Sequence, residues 1–173
     1  EHLNKIVEQI LDLARTTEPR FATVNLNDLV DELGLLVRHK LSNQRVRLIR
    51  DLQNDLPLVP GDAPQLEQAF LNVILNAAEA MPTGGTLTIR SRVLLRQDEK
   101  PASVSVEFKD TGSGMTVEQK KRAFKTMLVT TKASGTGLGL AIVGRIIETH
   151  HGEIRIRSRK GHGTTICIIL SVK

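Results

Sequence analysis

The sequence has no tryptophan, no tyrosine and only four phenylalanines. A core made from it has to be aliphatic, and stacking of nucleic-acid bases on aromatic rings is not expected to be its business. Cys167 is the sole cysteine, so no internal disulfide can form. It sits in the apolar stretch TTICIILSV and reads as a small core residue of a protein kept in a reducing compartment. No run approaches the ~20 apolar residues that cross a bilayer and no signal-peptide pattern is present, so a cytoplasmic domain without membrane contact is expected. Charge of one sign is not concentrated either: 24 Lys and Arg stand against 19 Asp and Glu, and the net +5 is spread as on an ordinary surface. What the chain does have is 173 residues, 40% of them hydrophobic, enough for one domain with a real core plus an appendage.

Residues 1–18 place Leu3, Ile6, Ile10 and Leu13 at alternating spacings of three and four. That fits a seam of a bundle or coiled coil and, equally, a plain terminal helix packed on the domain. Pro19 ends it, and an extended piece over 21–26 leads to a helix from about Asn27, whose side chain is expected to cap it. Leu29, Val30, Leu33, Leu36 and Val37 form its apolar face, and a strand is expected from Val46 to Leu52. The clearest helix is 62–81, with Asp62 as N-cap and Pro64 tolerated in the first turn. Strands at 86–95 and 103–109 flank the polar RQDEKPA loop. Thr116 with Gln119 makes a capping box for a short helix to about residue 125. Periodicity then lapses until a helix from near Thr136 to His150, with Leu138, Ile142, Ile146 and Ile147 inward and Gly152 at its exit. Strands at 153–158 and 164–172 close the chain around Gly161-His162-Gly163. The pattern predicts an α+β fold: a two-layer sandwich, a mixed sheet with helices on one face, preceded by one N-terminal helix.

Three segments carry chemistry. On the 62–81 helix, Leu66, Phe70, Val73, Ile74, Ala77 and Met81 gather on one side, while Gln65, Gln68, Asn72, Asn76 and Glu79 line the other. The polar stripe reads either as solvated surface or as a ligand face. Asparagine is a weak helix former for the first role, and its amide oxygen is a hard neutral ligand suited to magnesium beside a polyphosphate. Asp110 ends a strand and precedes Thr-Gly-Ser-Gly. It reads as a common Asp-X-Gly turn or as an acceptor for an exocyclic amine, with glycines that let a flat base approach the backbone. Gly135-Thr136-Gly137-Leu138-Gly139 lies where a loop becomes a helix, where backbone N–H groups and the positive helix end suit phosphate oxygens. It is not a dinucleotide fingerprint, because a polar TTKAS loop rather than a strand leads into it.

In this order the motifs resemble the catalytic domain of sensor histidine kinases. LNVILNAAEAM is similar to their asparagine box, DTGSGM and GTGLGLAIV to their two glycine boxes, and TTKASGTGLGL to the nitrogen-regulation type. The likeness runs from about Leu26 to Leu170 and implies the Bergerat ATP-binding fold shared with gyrase, mismatch-repair ATPases and heat-shock chaperones. It implies Asn76 as magnesium ligand and Asn72 as support for metal and phosphates. It further implies Asp110 on the adenine amino group and Gly112 and Gly114 shaping the base pocket. Gly135, Gly137 and Gly139 would hinge a lid, with Lys132 reaching the terminal phosphates. Ala80, Met115, Thr131, Thr136, Leu138, Leu140 and Thr165 would complete the nucleotide site. The opening helix, ending in DLAR, resembles the end of the dimerisation and phosphotransfer hairpin, which divides the chain at 1–18 and 19–173. The implied partners are ATP, a response regulator receiver domain and a second copy of the parent through the hairpin.

Three departures accompany the likeness. Glu79 stands where many relatives are basic, and AFKTMLVTTK keeps Phe124 but lacks the second Phe and the Pro of the lid. The family's acceptor histidine is followed by Glu or Asp, whereas His2, His39, His150, His151 and His162 are not, so the acceptor is expected outside this chain. His2, His39, His150 and His151 read as solvated. The expected function is transfer of the γ-phosphoryl of Mg–ATP to a histidine. The alternatives are a self-contained ATPase of the same fold, or a nucleotide-binding regulatory module without catalysis. Hydrolytic relatives carry Glu where this chain has Asn72, and an amide is a poor base, which favours transfer.

Overall fold

The computed structural model describes residues 18–98, 100–128 and 137–172. The helix expected over 1–18 falls almost wholly outside the described residues, as does 129–136. The elements in chain order are β1 (Ala22–Val24), α1 (Leu26–Asn43), β2 (Val46–Leu52), β3 (Val59–Gly61), α2 (Ala63–Glu79), β4 (Gly85–Leu95), β5 (Pro101–Asp110), α3 (Val117–Leu128), α4 (Gly137–Thr149), β6 (Glu153–Ser158) and β7 (Thr164–Ser171). Five strands form one sheet in the order β2-β4-β5-β7-β6, and β1 pairs with β3 apart from it. Only β2–β4 is parallel in the large sheet, and β3 with α2 supplies the crossover that a parallel pair requires. The remaining pairings are antiparallel.

Strand alternation sorts the residues by face. Leu87 and Ile89 of β4, Val104, Val106 and Phe108 of β5, and Ile166, Ile168 and Leu170 of β7 are buried with the apolar sides of α1, α2 and α4. Phe70 of α2 meets Phe108 edge-on at 5.3 Å between ring centres, an aromatic contact in an otherwise aliphatic core. The opposite face carries a cross-strand row, Asp51–Arg90–Glu107–Cys167–Arg155. Arg90 and Arg92 hold Asp51 at 2.8 and 2.7 Å, and Arg157 reaches Glu107 at 3.0 Å. The expected sandwich with helices on one face is therefore observed. Cys167 is a correction: it is half-buried on the charged face, not in the core. Its thiol pKa is pushed up by desolvation and by the charge of Glu107.

Helix ends show where local chemistry prevailed and where tertiary contacts did. Asp62 caps α2 through Gln65 N at 3.1 Å, and Thr116 and Gln119 exchange bonds of 2.9 and 3.1 Å ahead of α3. The cap of α1 is Asn25, not Asn27: the Asn25 side chain accepts from the N–H groups of Asn27 and Asp28. Asn27 is diverted, donating to Gln53 O at 2.8 Å and accepting from the fully buried Ser91 hydroxyl at 2.7 Å. Leu36 points to solvent, 64% exposed. At the end of α4, His151 takes the left-handed turn position (φ 51) and Gly152 follows it, donating to Ile147 O at 2.9 Å. His39, His151 and His162 are exposed, but His150 is buried, contrary to expectation.

Candidate functional site

Asp110 ends β5 with its side chain on the helix side of the sheet, 6% exposed. Its Oδ1 accepts from Gly112 N at 2.8 Å and from Thr164 N at 3.2 Å, and among the described residues no hydrogen bond reaches Oδ2. Burial pushes the carboxyl pKa up, and those two N–H groups pull it partly back. The loop beyond is laced to both neighbours: Ser113 N donates to Ala80 O at 3.0 Å, Gly161 N to Ser113 O at 2.7 Å, and Met115 N to Ser158 Oγ at 2.8 Å. Gly112 is required by this close approach, because a Cβ there would lie 2.5 Å from Ala80 O. Gly114 has φ 63, a conformation that side chains rarely adopt.

Between this loop and α2 lies a cavity of about 250 Å³. Val73, Ala77, Phe108, Met115, Leu140 and Ile166 supply apolar walls, and Asp110, Asn76, Glu79 and Thr164 polar ones. A flat, largely apolar group with one donor toward Asp110 matches that lining. Asn76 also lines the cavity, and Asn72 lies one turn before it on α2. Their Nδ2 atoms are buried without a hydrogen-bond partner among the described residues. Both amides look onto the first turn of α4: a Cβ on Gly139 would sit 3.6 Å from Asn76 Oδ1 and 4.0 Å from Asn72 Oδ1. Buried amide donors left unpaired are costly, about 1–3 kcal/mol each. Here they stand beside a helix start whose own N–H groups lack intrahelical acceptors. Such a corner is built to receive oxygens.

Of the residues singled out in the sequence, Asn76, Ala80, Asp110, Gly114, Met115 and Leu140 line the cavity, with Asn72 and Gly139 at its edge and Gly112 behind the base of the loop. Thr131, Lys132, Gly135 and Thr136 lie outside the described residues, as does the side chain of Leu138, and Gly137 begins α4. Thr165 is turned away, sharing the open face with Lys109 and Arg157; its neighbour Thr164 reaches Asp110 instead. Alternation could have found this, since the buried Ile166 and Ile168 put every even position of β7 on the cavity side.

A mixed sheet with helices on one face, and a pocket between an asparagine-bearing and a glycine-bearing helix, defines a nucleotide-binding class. Residues 61–173 match the family of histidine kinase-, DNA gyrase B- and HSP90-like ATPases, and the chain belongs to it. It is 36% identical over 172 residues to the signal transduction histidine-protein kinase AtoS of Escherichia coli (strain K12), covering 99% of this chain and 27% of AtoS. The chain thus spans about a quarter of that relative. The catalytic domain of the histidine kinase ThkA is similar at a TM-score of 0.73 and 25% identity, over 88% of this chain and 97% of that one. Two further structures share the fold: full-length ShkA in complex with AMPPNP (TM-score 0.81, 24% identity, 98% of this chain and 35% of ShkA) and ThkA in complex with the response regulator protein TrrA (0.77, 22%, 99% and 48%). The chain is an ATP-binding catalytic domain of the histidine-kinase type.

Proposed function

We propose that this chain binds Mg–ATP and passes the γ-phosphoryl group to a histidine outside the chain, as part of a two-component sensor kinase. The observation that carries the reading is a cavity lined by the buried carboxylate of Asp110 and by Asn76, whose buried amide, like that of Asn72 one turn away, has no hydrogen-bond partner among the described residues. Asp110 Oδ2 accepts the adenine amino group while the apolar walls hold the ring. The Nδ2 groups of Asn72 and Asn76 donate to phosphate oxygens. The residues fit magnesium by donor chemistry: an amide oxygen, that of Asn76, is a hard neutral ligand that leaves the other positions to water and phosphate. Magnesium, when bound, neutralises the triphosphate and stabilises charge on the leaving oxygen. Lys132 meets the terminal phosphates, and Glu79 at the cavity rim leaves that task to it. The acceptor imidazole attacks the γ-phosphorus, the bond to the β–γ bridging oxygen breaks, and ADP departs.

The acceptor is not His150, whose two ring nitrogens are both engaged. In this reading residues 1–18 end the phosphotransfer hairpin and 19–173 form the ATP-binding domain. The parent dimerises through the hairpin, acts in the cytoplasm and hands the phosphoryl group to a receiver domain. The complex of ThkA with a response regulator protein supports the last step by likeness of fold. Among the described residues no helix is long and apolar enough to cross a membrane.

Calorimetric titration with a non-hydrolysable ATP analogue tests the first half, and binding is expected to require magnesium. A hairpin bearing the acceptor histidine, added in trans with ATP, should then acquire acid-labile phosphate. Steady phosphate release without transfer, abolished by Asn72→Ala, would instead make the chain an ATPase.

A further inference from the structure

His150 follows α4 directly, is 6% exposed, and spends both ring nitrogens on backbone partners. Nδ1 lies 2.7 Å from Ile146 O, and Nε2 lies 2.9 Å from Asp62 N. Asp62 N–H can only donate, so Nε2 must carry the lone pair and the proton must sit on Nδ1. The ring is therefore held neutral, in one tautomer.

Asp62 is no ordinary partner. It is the N-cap of α2, with Oδ1 on Gln65 N, while Oδ2 accepts from Arg20 N at 2.7 Å. The Phe21 ring lies 5.0 Å from the His150 ring. Gly61 backs the imidazole so closely that a Cβ there would meet its Cδ2 at 3.2 Å. One side chain thus joins three things: the C-terminal end of α4, the N-terminal end of α2, and the lead-in segment at Arg20 and Phe21.

The two helices run antiparallel, since Asn76 near the end of α2 faces Gly139 at the start of α4. Their phosphate-side ends therefore lie about 20 Å from the His150 end, at 1.5 Å per residue. We infer that His150 is a positioning residue for the nucleotide site: as a neutral Nδ1–H imidazole it clasps the far ends of α2 and α4 to each other and to the lead-in segment. The spacing between Asn76 and Gly139 is set by that clasp.

The inference rests on the nucleotide-binding reading above, and its test separates the two. The test uses the whole chain, magnesium and a non-hydrolysable ATP analogue, with imidazole ¹⁵N spectra recorded alongside. The spectra should show His150 protonated on Nδ1 and bare on Nε2 at neutral pH. His150→Phe, which lacks the acceptor, should bind about tenfold more weakly, as when the competent helix pairing is populated one time in ten. His150→Gln keeps a donor and an acceptor in that place and should bind within about threefold of the parent.

A chain that binds no analogue overturns both readings. A chain that binds normally while folded His150→Phe binds equally well overturns the clasp alone. If His150→Phe does not fold, the spectra decide: a proton on Nε2 would sink the inference.

Discussion

Replacing Asp110 with asparagine turns one oxygen into an NH₂ group and removes one charge, while the pocket keeps its shape. In the folded domain Oδ1 accepts from Gly112 N and Thr164 N, so the asparagine carbonyl takes that position and the NH₂ is turned toward the cavity. On the proposed assignment, adenine's amino group would then meet a donor in place of a carboxylate. The lost charge-assisted bond is worth about 1.5–3 kcal/mol, and the donors left facing each other add about 1–3 kcal/mol. Together, about 3–6 kcal/mol corresponds to roughly 10²–10⁴-fold weaker nucleotide binding.

Stability should move the other way. Burial raises the Asp110 pKa above the ordinary 3.8, so the empty folded domain holds that proton more tightly than the unfolded chain does. Its contribution to stability therefore falls as pH rises from 3.8 through the raised value, and at neutral pH the carboxylate is a burden that asparagine removes. Thermal unfolding of Asp110→Asn should be unchanged or slightly higher, while calorimetry shows affinity lost. In the parent, affinity should decline as acid protonates Asp110, beginning above 3.8. A folded Asp110→Asn variant that binds the analogue as well as the parent would refute the adenine assignment.

Asn76→Asp would place a charge beside the proposed triphosphate position, so affinity at low magnesium should weaken roughly tenfold or more while affinity at saturating magnesium changes less; an unaltered magnesium dependence would count against Asn76 as ligand. His151→Gly relieves a side chain held at φ 51 on an exposed turn and should stabilise the domain by about 0.5–1 kcal/mol, read as a rise of about 1–4 °C in Tm. A lower Tm would mean that the His151 side chain makes contacts the turn depends on.

What could be read from the residues alone was whatever local chemistry decides. The helix from Asp62 is marked by a cap, a proline in its first turn and an unbroken apolar stripe, and each signal acts within a few residues. The same is true of Thr116 with Gln119. Asn25 and Asn27 show the limit. Both are competent caps by type, and the choice falls to Asn25 because Ser91 and Gln53, distant in sequence, claim the amide of Asn27. β3 has three residues, too few to show a period, and exists because β1 pairs with it. Thr164 and Thr165 are chemically alike, and only the register of β7 against β5 decides which one meets Asp110. His150 and His151 look interchangeable at a helix exit; one is buried because a backbone N–H 88 positions away needs an acceptor. The cavity-lining positions were reachable because three motifs share one ligand, although none of them alone distinguishes a pocket from a turn.

The charged face of the sheet has a bearing on what the domain does in a crowded solution. β2 and β6 are its outer strands among the described residues, and both leave one rim of backbone groups unpaired. A flat apolar rim would recruit a strand from a second chain. Instead Arg47 and Arg50 stud one margin and Glu153, Arg155 and Arg157 the other, so a strand docking there would have to strip water from charges with each residue it added. The ion pairs that run across the strands thus end in two charged borders that discourage fibrillar growth.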